Sequence, residues 1–143
     1  MRITFLGTGT SYGVPMPGCT CAVCQSPDPR DKRFRTAILI EASGQTILMD
    51  TPPDLRSQCL AHNIQKIDAT LITHAHADHV FGFDDLRPYT NRMAEPMPVW
   101  ASPGTVQALR RVFDYLDRPP IPGTSQARIA LHTAEAPFDF HGV

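Results

Sequence analysis

Thr73-His74-Ala75-His76-Ala77-Asp78-His79 places three imidazoles and a carboxylate within six residues, directly after the apolar run Ala69-Thr70-Leu71-Ile72. The apolar run reads as a strand, and loops fixed to a rigid strand end are where catalytic groups collect. Residues two apart in an extended segment point to the same side, so His74 and His76 can chelate one ion. Asp78 and His79 lie where the chain turns away and are placed to hold a second ion beside the first. Imidazole with carboxylate suits zinc, and manganese or iron as well. A metal pair acidifies water and clamps the oxygens of a phosphoryl or carbonyl group. The bland alternative, surface histidines in a polar loop, leaves the delivering strand unexplained.

Upstream of this run, Arg2 to Leu6 reads as a strand, followed by a turn-rich loop from Gly7 to Arg35 that holds three of the four cysteines. A loop of that length in a compact domain is functional or tied down by a ligand. Ala37 to Ile40 and Thr46 to Met49 read as strands joined through Ser43-Gly44-Gln45, a hairpin signal. Consecutive apolar residues in both suggest burial on two faces. Asp54, after Pro52-Pro53, is placed to cap a helix running to about His62. Downstream, Pro98 to Ala101 reads as a strand. Thr105 to Leu116 reads as a helix whose Val106, Leu109, Val112, Phe113 and Leu116 recur at helical spacing, as core residues do. Asp117 to Arg128 is a Pro/Gly-rich connection, and Ile129 to Leu131 and Phe138 to Phe140 read as short strands.

The chain has 143 residues, 42% hydrophobic, with a formal charge of -1, which suits one α/β domain over residues 1–143 with a real core. No window approaches the length of a membrane helix, and the Ile3 to Leu6 patch is too short for a signal peptide. A cytoplasmic protein without a membrane partner is the expectation. Scattered Lys and Arg give no basic footprint, which weighs against nucleic acid without excluding it; homodimerisation is left open. Phe138-Asp139-Phe140-His141-Gly142-Val143 looks like a strand, a turn and the start of the next element. The expectation is therefore the N-terminal part of a longer protein.

The HxHxDH run after an apolar strand resembles the signature of the metallo-β-lactamase fold hydrolases. The resemblance implies the N-terminal portion of an αββα sandwich, incomplete at the C-terminus. It also implies two zinc ions, with His74 and His76 on the first and Asp78 and His79 on the second. Asp50, at the end of the strand Thr46 to Met49, matches the acidic residue that orients the metal loop from behind the ligands, the kind of support such ligands need. Asp78 and Asp50 are thus the two carboxylates tied to catalysis. Gly7-Thr8-Gly9-Thr10-Ser11-Tyr12-Gly13-Val14-Pro15, Gly18-Cys19-Thr20-Cys21-Ala22-Val23-Cys24, Asp50-Thr51-Pro52-Pro53-Asp54-Leu55-Arg56 and Gly82-Phe83-Asp84-Asp85-Leu86-Arg87 narrow it to the PhnP-type cyclic phosphodiesterases. From Tyr89 onward the likeness is diffuse.

Cys19, Cys21 and Cys24 form CxCxxC, for which a disulfide or ordinary thiols compete with zinc; clustered thiols in a cytosolic chain favour zinc. The resemblance implies a structural zinc here, completed by a distant histidine that these 143 residues do not contain; Cys59 falls in apolar spacing and reads as core. The same resemblance implies a third histidine, a bridging aspartate and a last histidine for the metal pair, and neither His132 nor His141 sits in the right context. The Gly7 to Gly13 loop is a weak match to a phosphate loop, for it lacks GxGxxG and a following Lys, and reads instead as a close backbone approach to the metal site. Asp84, Asp85 and Arg87 either assist phosphate binding or form a solvated helix start, and His62 reads as solvent-facing.

The leading functional expectation is a metal-dependent phosphodiesterase acting on a small cyclic or diester phosphate of the phosphoribosyl cyclic phosphate type. A transfer-RNA 3′-processing nuclease and a thioester or lactone hydrolase are alternatives within the fold. A non-catalytic zinc-binding module is the alternative outside it. With two protein ligands per metal, weak metal binding and little turnover are expected of these 143 residues alone.

Overall fold

A computed structural model describes residues 1–119 and 122–143. Of the Pro/Gly-rich connection, Pro120 and Ile121 lie outside the described residues.

Six strands form one mixed sheet in chain order: β1 (Arg2–Gly7), β2 (Ala37–Ala42), β3 (Gln45–Met49), β4 (Ala69–Ile72), β5 (Met97–Ala101) and β6 (Ile129–Thr133). The first three pair antiparallel and the last three follow β3 in parallel. The expected hairpin joins β2 to β3. Ser43 at φ 49° and Gly44 at φ 76° form its two-residue turn, the pair of left-handed positions whose twist matches the flanking strands.

Each parallel crossover carries helix, as parallel pairing demands. Between β3 and β4 lies α2 (Leu55–Ala61), while α1 (Ala22–Gln25) belongs to the long loop before β2. Between β4 and β5 come α3 (Ala77–Val80), a 3-10 turn Phe83–Leu86 and α4 (Arg87–Thr90), and between β5 and β6 comes α5 (Pro103–Val112). The core joins strand residues Leu6, Leu39, Leu48 and Val99 to helix-side residues Leu55, Cys59, Phe83, Leu86, Val106 and Leu109. Burying each large side chain of this set contributes about 1.5–3 kcal/mol.

Burial on both faces forms in β3, where Ile47 and Leu48 are both buried, but not in β2, where Ala37 and Leu39 are buried and Ile38 and Ile40 only half-buried. One face is sealed by the helices. On the other, cross-strand pairing lines up Phe5, Ile38, Met49, Leu71, Trp100 and His132. Phe5 on that row is 62% exposed. Phe138 and Phe140 cover its Trp100 end, each with ring centroids 5.0 Å from the indole. Their segment is irregular and not the expected strand, because it serves as a lid of aromatic side chains and makes no ladder hydrogen bonds.

The helix expected over Thr105 to Leu116 is α5, shorter and earlier. Ser102 caps it by accepting from the Thr105 amide at 3.3 Å, and Pro103 opens its first turn. It breaks at Phe113, whose backbone leaves the helical region, and a 3-10 turn Asp114–Asp117 follows. Val106 and Leu109 are buried as expected, but Val112 is 52% exposed. The Phe113 ring, just past the end of the helix, stacks on Phe83 at 5.1 Å. No described helix is long and apolar enough to cross a membrane.

Candidate metal centre

Strands β1, β3, β4, β5 and β6 run in one direction, so their carboxyl ends share one edge of the sheet, where open α/β sheets place their ligands. Asp50 follows β3 there and Thr73 to His79 follow β4. The Asp50 amide donates to Leu71 O at 2.8 Å, and the Thr73 amide donates to Asp50 Oδ1 at 2.8 Å. The two loops are thereby stitched together at the strand ends. The Thr51 amide donates to His79 O at 2.8 Å, and the Gly82 amide donates to Thr51 O at 2.8 Å, which docks α3 onto the Asp50 loop.

Asp50 is 3% exposed, and a buried carboxylate costs free energy unless it is hydrogen-bonded. It accepts from the Thr73 amide and hydroxyl and faces His79 Nδ1 at 2.8 Å. Its backbone sits at φ 65°, a left-handed conformation rare outside glycine, held by these contacts.

A carboxylate only accepts, so His79 Nδ1 carries the proton toward Asp50 and the lone pair of His79 lies on Nε2. That nitrogen stands 3.4 Å from Asp78 Oδ2. The Thr73 hydroxyl, 2.8 Å from Asp50 Oδ2, spends its proton there and accepts from His74 Nδ1 at 3.0 Å. The lone pair of His74 is thus also on Nε2, which faces His76 Nδ1 at 3.1 Å. Two imidazole nitrogens on one tetrahedral zinc stand about 3.3 Å apart, given Zn–N bonds of about 2.0–2.1 Å. The His74–His76 spacing fits one ion, and Asp78–His79 fits a second. The His74 and His79 rings, 4.1 Å apart at their centroids, bring the two pairs together.

The long loop is not featureless. It contains α1 and a 3-10 turn Pro29–Asp31, and it touches itself through the Gly9–Arg35 and Val14–Arg33 bridges. Cys19, Cys21 and Cys24 converge in it: their sulfurs all lie within 4.8 Å of one another, and no disulfide joins them. Thiolates on a tetrahedral zinc stand about 3.8 Å apart at Zn–S bonds of about 2.3 Å, so the triad fits such an ion. The Cys24 amide, followed by the Cys19 and Cys24 thiols, holds the Cys21 thiol at about 7. For Cys19 the Cys21 amide pulls downward, but hydrogen bonding with the other two sulfurs outweighs it and the thiol sits above its ordinary value. Cys59 is apart from the triad, in the core, where burial pushes its thiol up.

Asp54 stands at the N-cap of α2, but its side chain does not cap the helix. It accepts instead from the Arg35 amide at 3.0 Å, while Gln58 Nε2 donates to Arg35 O at 2.7 Å. Asp84 pairs with Arg87 at 2.9 Å and accepts from the Tyr115 hydroxyl at 3.0 Å, and burial pushes the Tyr115 phenol up. Asp84, Asp85 and Arg87 line a groove of about 640 Å³ with Arg56, Cys59 and Tyr89, apart from the His run. His132 is spent stacking on Trp100 at 5.2 Å, His141 packs on Phe140 at 4.6 Å, and His62 is exposed at the end of α2. Sequence reasoning missed Thr73, the link between Asp50 and His74; its place directly before the first histidine is the only signal that could have found it.

Residues 45–142 match the model of the beta-lactamase superfamily domain. The chain is 43% identical over 140 residues, 96% of its length, to a Porphyromonas gingivalis protein named octanoyltransferase, of which it covers 28%. It is 37% identical over 103 residues, 66% of its length, to ribonuclease Z from Bradyrhizobium sp., of which it covers 34%. A crystal structure of a diphosphatase from the PhnP family superposes with a TM-score of 0.81 at 41% identity, over 93% of this chain and 50% of that one. The chain therefore spans half or less of the length of these relatives.

Proposed function

Because the chain belongs to the beta-lactamase superfamily, we propose that it supplies the first half of a two-metal hydrolase centre, and that the reaction is cleavage of a small cyclic or diester phosphate. His74 and His76 would hold one metal, Asp78 and His79 the other. When bound, the pair supplies Lewis-acid polarisation of a phosphoryl oxygen and acidification of water. The chain's own part is orientation. Asp50 fixes the proton of His79 on Nδ1 directly and that of His74 through the Thr73 hydroxyl, so both Nε2 lone pairs face the metal side. This double hold by one buried carboxylate is the observation that carries the reading, since a non-catalytic zinc module has no need of two oriented ligand pairs side by side.

Cys19, Cys21 and Cys24 would hold a structural zinc that pins the long loop. The triad and the likeness to the PhnP-family diphosphatase favour a small phosphate ester over the RNA substrate suggested by the ribonuclease Z relative. Chelation followed by metal return, carried out on the protein that carries both halves of the centre, tests the proposal, with bis(p-nitrophenyl) phosphate assayed beside thioester and lactone substrates. Metal-restored phosphodiester cleavage that exceeds the other two supports it. A chelator that unfolds that protein, with no turnover restored by metal, sinks it.

A further inference from the structure

The tip of the long loop has no apolar core of its own. From Pro15 to Lys32 no residue is buried, the short helix α1 included. Beneath the tip the loop is closed by Val14 and Arg33, which exchange both backbone bonds at 2.8 Å, and by the Gly9 amide donating to Phe34 O at 2.7 Å. Ordering a residue costs about 1–2 kcal/mol of backbone entropy, and beyond that closure no apolar burial offsets it. What converges there instead is Cys19, Cys21 and Cys24, whose sulfurs lie within 4.8 Å of one another. Gln25 Nε2 donates to Cys19 O at 2.9 Å and the Met16 amide donates to Cys24 Sγ at 3.4 Å, so the backbone around them is built on the cluster. Chemistry at sulfur therefore changes the hold on the tip.

The three thiols are not equivalent. Cys21 is exposed, whereas Cys19 and Cys24 are half-buried. Cys21 stands at the N-cap of α1 and Cys24 lies in its single turn, which the Gln25 amide closes by donating to Cys21 O at 3.0 Å. Helical geometry sets Cα atoms three residues apart at about 5 Å, inside the about 4.4–6.8 Å that a disulfide spans. It also turns their side chains to one face. A Cys21–Cys24 bridge is thus within reach of the backbone as it stands. Cys59, buried in the core, is apart from them.

We propose that Cys21 and Cys24 form a redox modification site, in which a hydroperoxide oxidises Cys21 and Cys24 resolves the product to a disulfide. In the first step the Cys21 sulfur attacks the peroxide: an S–O bond forms, the O–O bond breaks, and water or the alcohol of an organic peroxide leaves. In the second the Cys24 sulfur attacks the sulfenic acid: an S–S bond forms, the S–O bond breaks, and water leaves with the Cys24 proton. Two thiols lose two electrons and one peroxide gains them. A dithiol reverses the change by exchange. The bridge takes away two of the three thiolates that fit a structural zinc, so oxidation replaces a cross-link reaching from Cys19 to Cys24 with one confined to a helical turn. That consequence rests on the structural zinc reading, and the thiol chemistry does not.

The test treats the protein that carries both halves of the centre, metal-free and zinc-loaded, with hydrogen peroxide, then alkylates it under denaturing conditions and cuts it with trypsin. Residues 3–30 form one tryptic peptide with all three loop thiols, and Cys59 falls in another. The expected peptide is two hydrogens lighter, carries its label on Cys19 alone, and takes a label on every thiol after dithiothreitol, while Cys59 is labelled throughout. In Cys24→Ser, Cys21 should be trapped by dimedone as its sulfenic acid. A bridge that includes Cys19, full labelling of the peptide under conditions that oxidise free glutathione, or no dimedone adduct in Cys24→Ser overturns the proposal. In the zinc-loaded protein a chromogenic chelator should show zinc leaving as the bridge forms. A bridge without zinc release supports the modification site and counts against the structural zinc, so the two readings fail separately.

Discussion

Asp50 Oδ2 meets His79 Nδ1 at 2.8 Å across 29 residues of chain, and the same carboxylate reaches His74 through the Thr73 hydroxyl. One buried acid therefore sets the tautomer of one histidine in each pair. Asp50→Asn keeps the shape and the acceptor for the Thr73 amide but can turn an N–H toward His79 Nδ1, which moves the imidazole proton to Nε2 and spoils it as a ligand. Loss of such an outer partner weakens metal binding about 10–100-fold. Zinc affinity measured by competition with a chromogenic chelator should fall in that range with the fold retained. Thr73→Val should cost less, since it leaves the Asp50–His79 contact intact.

The thiols make a separate prediction for the metal-free chain. Cys21 is held at about 7, below its ordinary value, chiefly by the Cys24 amide. A depressed folded-state pKa means stability that is fully present above the unfolded value of about 8.5 and is lost as pH falls through about 7. Thiolate absorbance near 240 nm should show one group titrating near 7 and Cys19 titrating above the ordinary thiol. Cys19→Ala removes one of the hydrogen bonds that stabilise the Cys21 thiolate and should move the lower midpoint up.

Much of this was legible in the sequence, and the reasons differ by residue. His74, His76, Asp78 and His79 stood out by type and spacing, and the structure gathers them at the strand ends beside Asp50; Ser43-Gly44 announces its turn because few residues accept left-handed backbone. Val112 misled because the apolar spacing is wider than the face of α5 that is buried, which holds Val106 and Leu109, and the Phe113–Phe83 contact beyond it joins residues 30 apart. Phe138 and Phe140 alternate like a strand but are spent on Trp100, a tertiary choice with no local signature. Asp54 looked like a cap, as most acids before a helix do, yet its partner is the distant Arg35 amide.

Gly82 joins the two halves of the centre by contact. A Cβ built there would lie 2.0 Å from Pro52 O and 3.0 Å from Leu55 Cβ, a backbone clash that no rotamer relieves. Gly82→Ala should destabilise the chain by about 1–3 kcal/mol, the usual cost of overpacking, and should weaken zinc binding because α3 must lift off the Asp50 loop. Denaturant midpoints and the same chelator competition measure both effects, and unchanged stability would show that α3 is not held against Pro52.

Gln58 offers a test of how the long loop is tied to the helix layer. The side chain is fully buried, and its amide donates to Arg35 O while Asp54, four residues back on the same face of α2, takes the Arg35 amide. Gln58→Glu replaces the donor with a carboxyl that, when ionised, faces a carbonyl oxygen and stands beside a carboxylate. Burial and that neighbour raise the folded-state pKa of the new group above its unfolded value. The folded chain then binds an extra proton between the two values, so the penalty is largest above the folded pKa and shrinks as pH falls, when the protonated group can donate to Arg35 O again. The melting temperature of the variant should trail the parent clearly at pH 8 and approach it at pH 5. Gln58→Leu, which cannot titrate, should show the same deficit at both pH values, of the order of 1–3 kcal/mol for an unpaired buried carbonyl. A deficit in Gln58→Glu that does not change with pH would mean that Arg35 O is not held by residue 58.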